Sequence, residues 1–140
     1  MALEDKPAMV LSDAKVHVRF KIALLWVAIM FCYVYGDLFG FFKQETLTDI
    51  VSGKAGFIGT QWGLLAAAAV VAIPGVMPFA SLVIRPTLNR WANVSLGLVY
   101  TVIIATTMPG AWMYYQFLGV VEIALSLSIV WYAWKWPRAD

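Results

Sequence analysis

The fold class that the sequence predicts is all-α: an integral membrane four-helix bundle with both termini in the cytoplasm. Three observations carry it. Of 140 residues, 62% are hydrophobic and 13% charged, with a mean hydropathy of +0.79, whereas ordinary soluble domains are roughly a quarter charged. The apolar residues collect into four runs near span length, since about 20 residues cross a hydrocarbon core of about 30 Å. The lysines and arginines then sort to one side of those runs, as residues retained in the cytoplasm do. Four spans with short connections leave no room for a separate soluble domain.

Residues 1–15, MALEDKPAMVLSDAK, are polar and mixed in charge and read as a cytosolic tail with little fixed structure. Residues 16–140 then form the transmembrane domain. Its first span is expected over 20–42, too long and too poor in small-residue cleavage sites for a removable signal peptide. The loop KQETLTDIVSGKAGFIGT, 43–60, holds Leu47, Ile50 and Val51 with Gly53 after them, which predicts a short amphipathic turn of helix at the surface. The second span is expected over 61–84. Its IPGVMP stretch sets Pro74 and Pro78 inside the helix, where each removes a backbone donor, kinks the helix and frees a carbonyl of the preceding turn. RPTLNR, 85–90, reads as a tight loop, with Pro86 suited to a first helical turn. The third and fourth spans, 91–108 and 111–134, are separated only by Pro109 and Gly110 and form an antiparallel hairpin.

Orientation follows from the basic residues. Lys6, Lys15, Arg19, Lys21, Arg85, Arg90, Lys135 and Arg138 fall on one side, and Lys43 and Lys54 on the other, so the first side is cytoplasmic. Tyr132, Trp134 and Trp136 at the inner end, with Trp62, Trp112, Tyr114 and Tyr115 at the outer end, fit two aromatic belts. The net charge of +2 therefore reports topology. The partner it implies is the lipid bilayer, not nucleic acid, which needs an exposed basic face.

Depth places the buried polar residues. At about 1.5 Å per residue, Glu122 lies about 16 Å below the outer end of the fourth span, level with Tyr33, Tyr100 and Pro74. This midplane trio is the candidate site for a proton or ligand, with the carbonyl freed by Pro74 as acceptor for a protonated Glu122. Asp37 lies about 8 Å below the outer end of the first span, level with Gln61, Tyr115 and Gln116. The two carboxylates are therefore not expected to be partners. Helical spacing turns each group inward: Tyr115, Gly119, Glu122 and Ser126 share one stripe, as do Asn93, Gly97, Tyr100, Ile104 and Thr107, and Trp26, Met30, Tyr33, Asp37 and Gly40. Gly36 and Gly40 form a small-xxx-small pair, and Gly97 and Gly119 are further packing positions.

Each signal has a structural reading beside the functional one. A charge inside the membrane costs about 2.5–3.5 kcal/mol or more, which favours function for Glu122. Against this, a neutral glutamic acid can tie helices through hydrogen bonds worth about 0.6 kcal/mol each. Asp37, near an interface, is better read as orienting the loop after it. The glycine pair reports packing, within the bundle or between subunits, and the prolines a static kink. Cys32 is the only cysteine and His17 the only histidine, so neither a disulfide nor an imidazole metal site is available. With no Cys-x-x-Cys, no serine near a base and no phosphate loop, no catalytic residue, metal or cofactor is assigned. An enzyme is disfavoured, although a carboxyl and two phenols can transfer protons.

LLWVAIMFCYVYGDLFGFF, RPTLNRWANVSLG and EIALSLSIVWYAWKWP, in that order and spacing, resemble a family of small bacterial four-helix membrane proteins that is a domain of unknown function. Its most specific pieces are Tyr33-x-Tyr35-x-Asp37, the Asn-Arg-Trp-Ala-Asn at 89–93, and the Glu-Ile-Ala followed by Trp-Tyr-Ala-Trp-Lys-Trp at the end. The resemblance implies the fold and a bacterial inner-membrane setting, without an activity. Two functions compete on this sequence. One is a small transporter-like or channel-like protein whose midplane pocket takes a small solute or proton, acting as a homo-oligomer joined at Gly36 and Gly40. The other is a structural or accessory subunit of a membrane complex.

Overall fold

The structure, a computed structural model, describes residues 14–137; the tail expected over 1–15 lies outside them up to residue 13. The described residues form five helices and no strand: α1 (Val18–Gly40), α2 (Gln44–Val51), α3 (Gln61–Val83), α4 (Pro86–Thr107) and α5 (Met113–Trp134), with a 3-10 turn at Gly56–Gly59 before α3. By length and composition α1, α3 and α5 are apolar enough to cross a membrane. α4, with 22 residues, is as long but carries Thr87, Asn89, Arg90, Asn93 and Ser95 in its first half. The expected third span is thus the one that apolar content alone does not support.

Local chemistry sets the boundaries. His17 caps α1 by accepting the Arg19 N–H on Nδ1 at 3.2 Å. Pro86 occupies the first turn of α4, where its missing donor costs nothing and its fixed φ suits the helix. The loop expected over 85–90 is therefore mostly helix, and α4 starts five residues before the expected 91. The short helix expected in the 43–60 loop is α2, closed by Gly53 at φ 71°, a left-handed conformation that glycine adopts without strain. Thr60 joins the 3-10 turn to α3: its hydroxyl donates to the Phe57 carbonyl at 2.7 Å and accepts the Gly63 N–H at 3.0 Å. A Cβ on Gly63 would run into that same Phe57 carbonyl.

α1 packs against both α3 and α5, and α4 packs against α5, while α3 and α4 keep their backbones apart and are joined by side-chain bonds. The neighbours run antiparallel. Arg19 Nη1, at the start of α1, donates to the Leu82 carbonyl at the end of α3 at 2.6 Å, and the Arg19 guanidinium lies 5.9 Å from the Trp136 ring beyond the end of α5. Gly97 brings α4 close to α5; its absent Cβ would stand 2.7 Å from Val130 Cγ2 and 3.2 Å from the Ser126 carbonyl.

The dry core, built on Ile22, Trp26, Ile29, Met77, Val94 and Ile129, fills the half of the molecule that holds the chain ends. A polar cluster is threaded through it. Asn93 Oδ1 accepts from Trp26 Nε1 at 2.7 Å, its Nδ2 donates to Asn89 Oδ1 at 2.6 Å, and Asn89 Nδ2 donates to the Ser81 carbonyl at 2.5 Å. This chain crosses α1, α4 and α3, and its three polar side chains, Asn89, Asn93 and Ser81, are fully buried. In a lipid setting, where apolar burial does not itself drive helices together, such bonds and close packing fix which helix faces which.

Candidate functional site

Above that core the helices part around a cavity of about 160 Å³. α1 presents Cys32, Tyr33, Gly36 and Asp37 to it, α3 Val70 and Val71, α4 Ile103, Ile104 and Thr107, and α5 Tyr115, Leu118 and Glu122. The spacings are helical: Tyr33, Gly36 and Asp37 stand at i, i+3, i+4, and Tyr115, Leu118 and Glu122 at i, i+3, i+7. Gly36 keeps α1 near α5, since Leu118 Cδ1 lies 3.6 Å from where its Cβ would be. Behind Tyr33 the Tyr100 ring lies 6.5 Å away, and the Trp26 ring meets Tyr100 edge to face at 5.9 Å. This aromatic stack separates the cavity from the core.

Glu122 is 7% exposed, and among the described residues no hydrogen bond engages its carboxyl. Asp37 is exposed and likewise unbonded among them. The expectation that these carboxylates stand apart is corrected, because both line one cavity. The physical reason is that a difference in depth along the helix axes does not keep two side chains out of one elongated space. The cavity follows the α1–α5 seam over one turn of α1 and two turns of α5, and so spans both levels.

The midplane trio is only partly assembled. Tyr33 and Glu122 line the cavity, whereas Tyr100, 2% exposed, turns away. Its hydroxyl donates to the Val70 carbonyl at 2.6 Å, the carbonyl that Pro74 leaves without an intrahelical donor. The acceptor expected for Glu122 is thus taken by Tyr100. α3 continues as one helix through Pro74 and Pro78, and Pro74 is buried beneath the cavity rather than lining it.

Of the outer polar group, Tyr115 lines the cavity and donates its hydroxyl to Thr107 Oγ1 at 3.1 Å. Gln61 is the exposed first residue of α3, and Gln116 points to the α4–α5 link, donating to the Ala111 carbonyl at 3.0 Å; neither joins Asp37. Gly36 and Gly40 face Leu118 and Tyr114 of α5 in the same chain, which removes them as a ready subunit contact. Gly119 lies against the Met108 side chain. Cys32, one position before Tyr33, also borders this space.

The cavity lining contains two carboxyls, phenols, a thiol and apolar groups, and no Lys, Arg or His. Among the described residues no group of three or more His, Cys, Asp and Glu is placed to hold a metal ion. A family model, described as a family of unknown function (DUF6326), matches residues 10–140. No curated protein and no solved structure matches the chain.

Proposed function

The chain belongs to the family of unknown function DUF6326, and from that premise we propose a small transporter-like or channel-like membrane protein whose cavity takes up a proton or small solute. One observation carries the reading: Glu122, a residue only 7% exposed, lines the cavity with no hydrogen bond to its carboxyl among the described residues. Buried polar groups with a structural role are hydrogen-bonded, and in a membrane the pressure to bond is stronger still. An acid held unbonded beside a cavity is held for something that enters.

Four crossings and cytoplasmic termini complete the proposal. Arg19 and Lys21 at the start of α1, Arg85 and Arg90 at the α3–α4 turn and Lys135 after α5 gather at one end, the basic end that stays in the cytoplasm. α4 is taken to cross because it packs along α5, with Asn89, Asn93 and Tyr100 bonded inward and Leu98, Val99 and Val102 exposed. The accessory-subunit reading finds support in the Trp26–Asn93–Asn89–Ser81 chain, which fixes helix register, but none in Glu122, which fixes nothing.

The test is proton flux into liposomes carrying a pH-sensitive dye. Wild type is expected to exceed protein-free vesicles and Glu122→Gln to fall to their level. Equal background flux from both proteins removes proton movement and leaves the accessory reading.

A further inference from the structure

The lining of the cavity restricts what can occupy it. Two carboxyls with no opposing cation disfavour an anion on Coulomb grounds, since every ionised state of the pair is negative. A hard divalent ion is held by several converging oxygen ligands, and among the described residues no group of three or more His, Cys, Asp and Glu is placed to hold a metal ion. A neutral solute would leave the carboxyl of Glu122, a residue only 7% exposed and unbonded among the described residues, without an electrostatic purpose. Monovalent cations remain, and among them the apolar part of the lining favours one that carries an apolar body. Val70, Val71, Ile103, Ile104 and Leu118 offer that body a wall, and phenol faces such as those of Tyr33 and Tyr115 attract cations. A cavity of about 160 Å³ suits a guest of about benzene size, which occupies roughly 150 Å³ of comparable space.

We infer that the occupant of this cavity is a small organic ammonium ion, its charge held between Asp37 and Glu122 and its short alkyl part against the α3 and α4 walls. The inference rests on the transport reading and names its substrate class. The cation and protons compete for the same two carboxylates. The ionisable groups that face Glu122 are Cys32, Tyr33 and Asp37 of α1 and Tyr115 of its own helix; Tyr100 of α4 stands behind Tyr33, and α3 contributes none. None of them is basic, so the cation has no built-in rival. Binding of the ammonium therefore releases protons from a protonated site and tightens as pH rises.

The probe is n-butylammonium, titrated calorimetrically into the full chain in detergent, with butan-1-ol as the uncharged isostere and potassium as an inorganic cation. Butylammonium is expected to bind more tightly at pH 8 than at pH 6, and butanol and potassium not to compete. Glu122→Gln is expected to weaken binding by about tenfold or more, the usual effect of removing one partner from a buried charge pair. Asp37→Asn, on an exposed side chain whose loss cannot unfold the helix, should weaken it severalfold. Butanol or potassium competing as well as butylammonium overturns the inference, as does wild-type affinity in both variants. Proton flux that depends on Glu122 without butylammonium binding overturns the inference alone; butylammonium binding without flux preserves the site and removes transport.

Discussion

At the scale of single residues, the buried polar side chains divide into those that bond, such as Asn93, Asn89 and Tyr100, and those that, among the described residues, do not: Glu122 beside the cavity and the Ser126 hydroxyl one turn further along α5. Asn93 serves Trp26, Asn89 and Ser81 at once, so Asn93→Leu orphans the indole N–H and the Asn89 amide oxygen. It is expected to lower stability by about 1–3 kcal/mol, read by unfolding in mixed micelles. Tyr100→Phe removes a single bond to a carbonyl that Pro74 has freed, and should cost about 0.6 kcal/mol, the usual worth of one interhelical bond. Glu122→Gln breaks no bond and should leave the unfolding midpoint nearly unchanged; a large loss there would mean that the acid is paired and structural. The sequence made Glu122 legible because an acid in an apolar run stands out at once. The bond from Tyr100 to Val70 was hidden for the opposite reason: a freed carbonyl has no side chain to announce it, and several donors lie at its depth.

At the scale of elements, glycines decide how near helices come. Gly97→Ala would place a methyl 2.7 Å from Val130 Cγ2 and 3.2 Å from the Ser126 backbone oxygen. The side chain can rotate, but the backbone oxygen cannot. α4 and α5 must then separate, at about 1–3 kcal/mol for overpacking. Gly40→Ala meets only the Tyr114 hydroxyl at 3.7 Å, an ordinary contact, and should melt within a degree or two of wild type. Thermal unfolding of the pair separates the two cases, and equal midpoints would show that the α4–α5 contact is looser than its geometry implies. Small-xxx-small spacing drew attention first to Gly36 and Gly40, while Gly97, read as a further packing position, makes the closer approach. Spacing reports that a face is small, not which helix covers it. Helix starts are legible where a Pro is visible, as Pro86 marks the first turn of α4, while the span expected from residue 91 begins late because Asn89 and Arg90 look like loop residues and Asn89 is instead bonded inward.

For the whole molecule the open question is the number of crossings, and it turns on α4. Averaged hydropathy misses this helix because it weighs Asn89, Asn93 and Tyr100 as though they faced outward, whereas all three are buried. A helix whose amides are bonded inside presents an exterior more apolar than its average. At about 1.5 Å per residue its 22 residues reach about 33 Å, enough to cross, and its antiparallel partner α5 is one of the three helices apolar enough to do so. If α4 lay in the interface instead, α1, α3 and α5 would give an odd number of crossings and put the start of α1 and the end of α5 on opposite sides. Cysteines introduced into a Cys32→Ala background decide between the two. Under the four-crossing arrangement Ser52→Cys labels with a membrane-impermeant maleimide in intact cells, while Ala14→Cys and Pro137→Cys both label only after the membrane is opened. Labelling of Pro137→Cys in intact cells while Ala14→Cys stays protected would mean three crossings. It would also break the cavity as described, since α4 could no longer bring Ile103, Ile104 and Thr107 to the space that Glu122 faces.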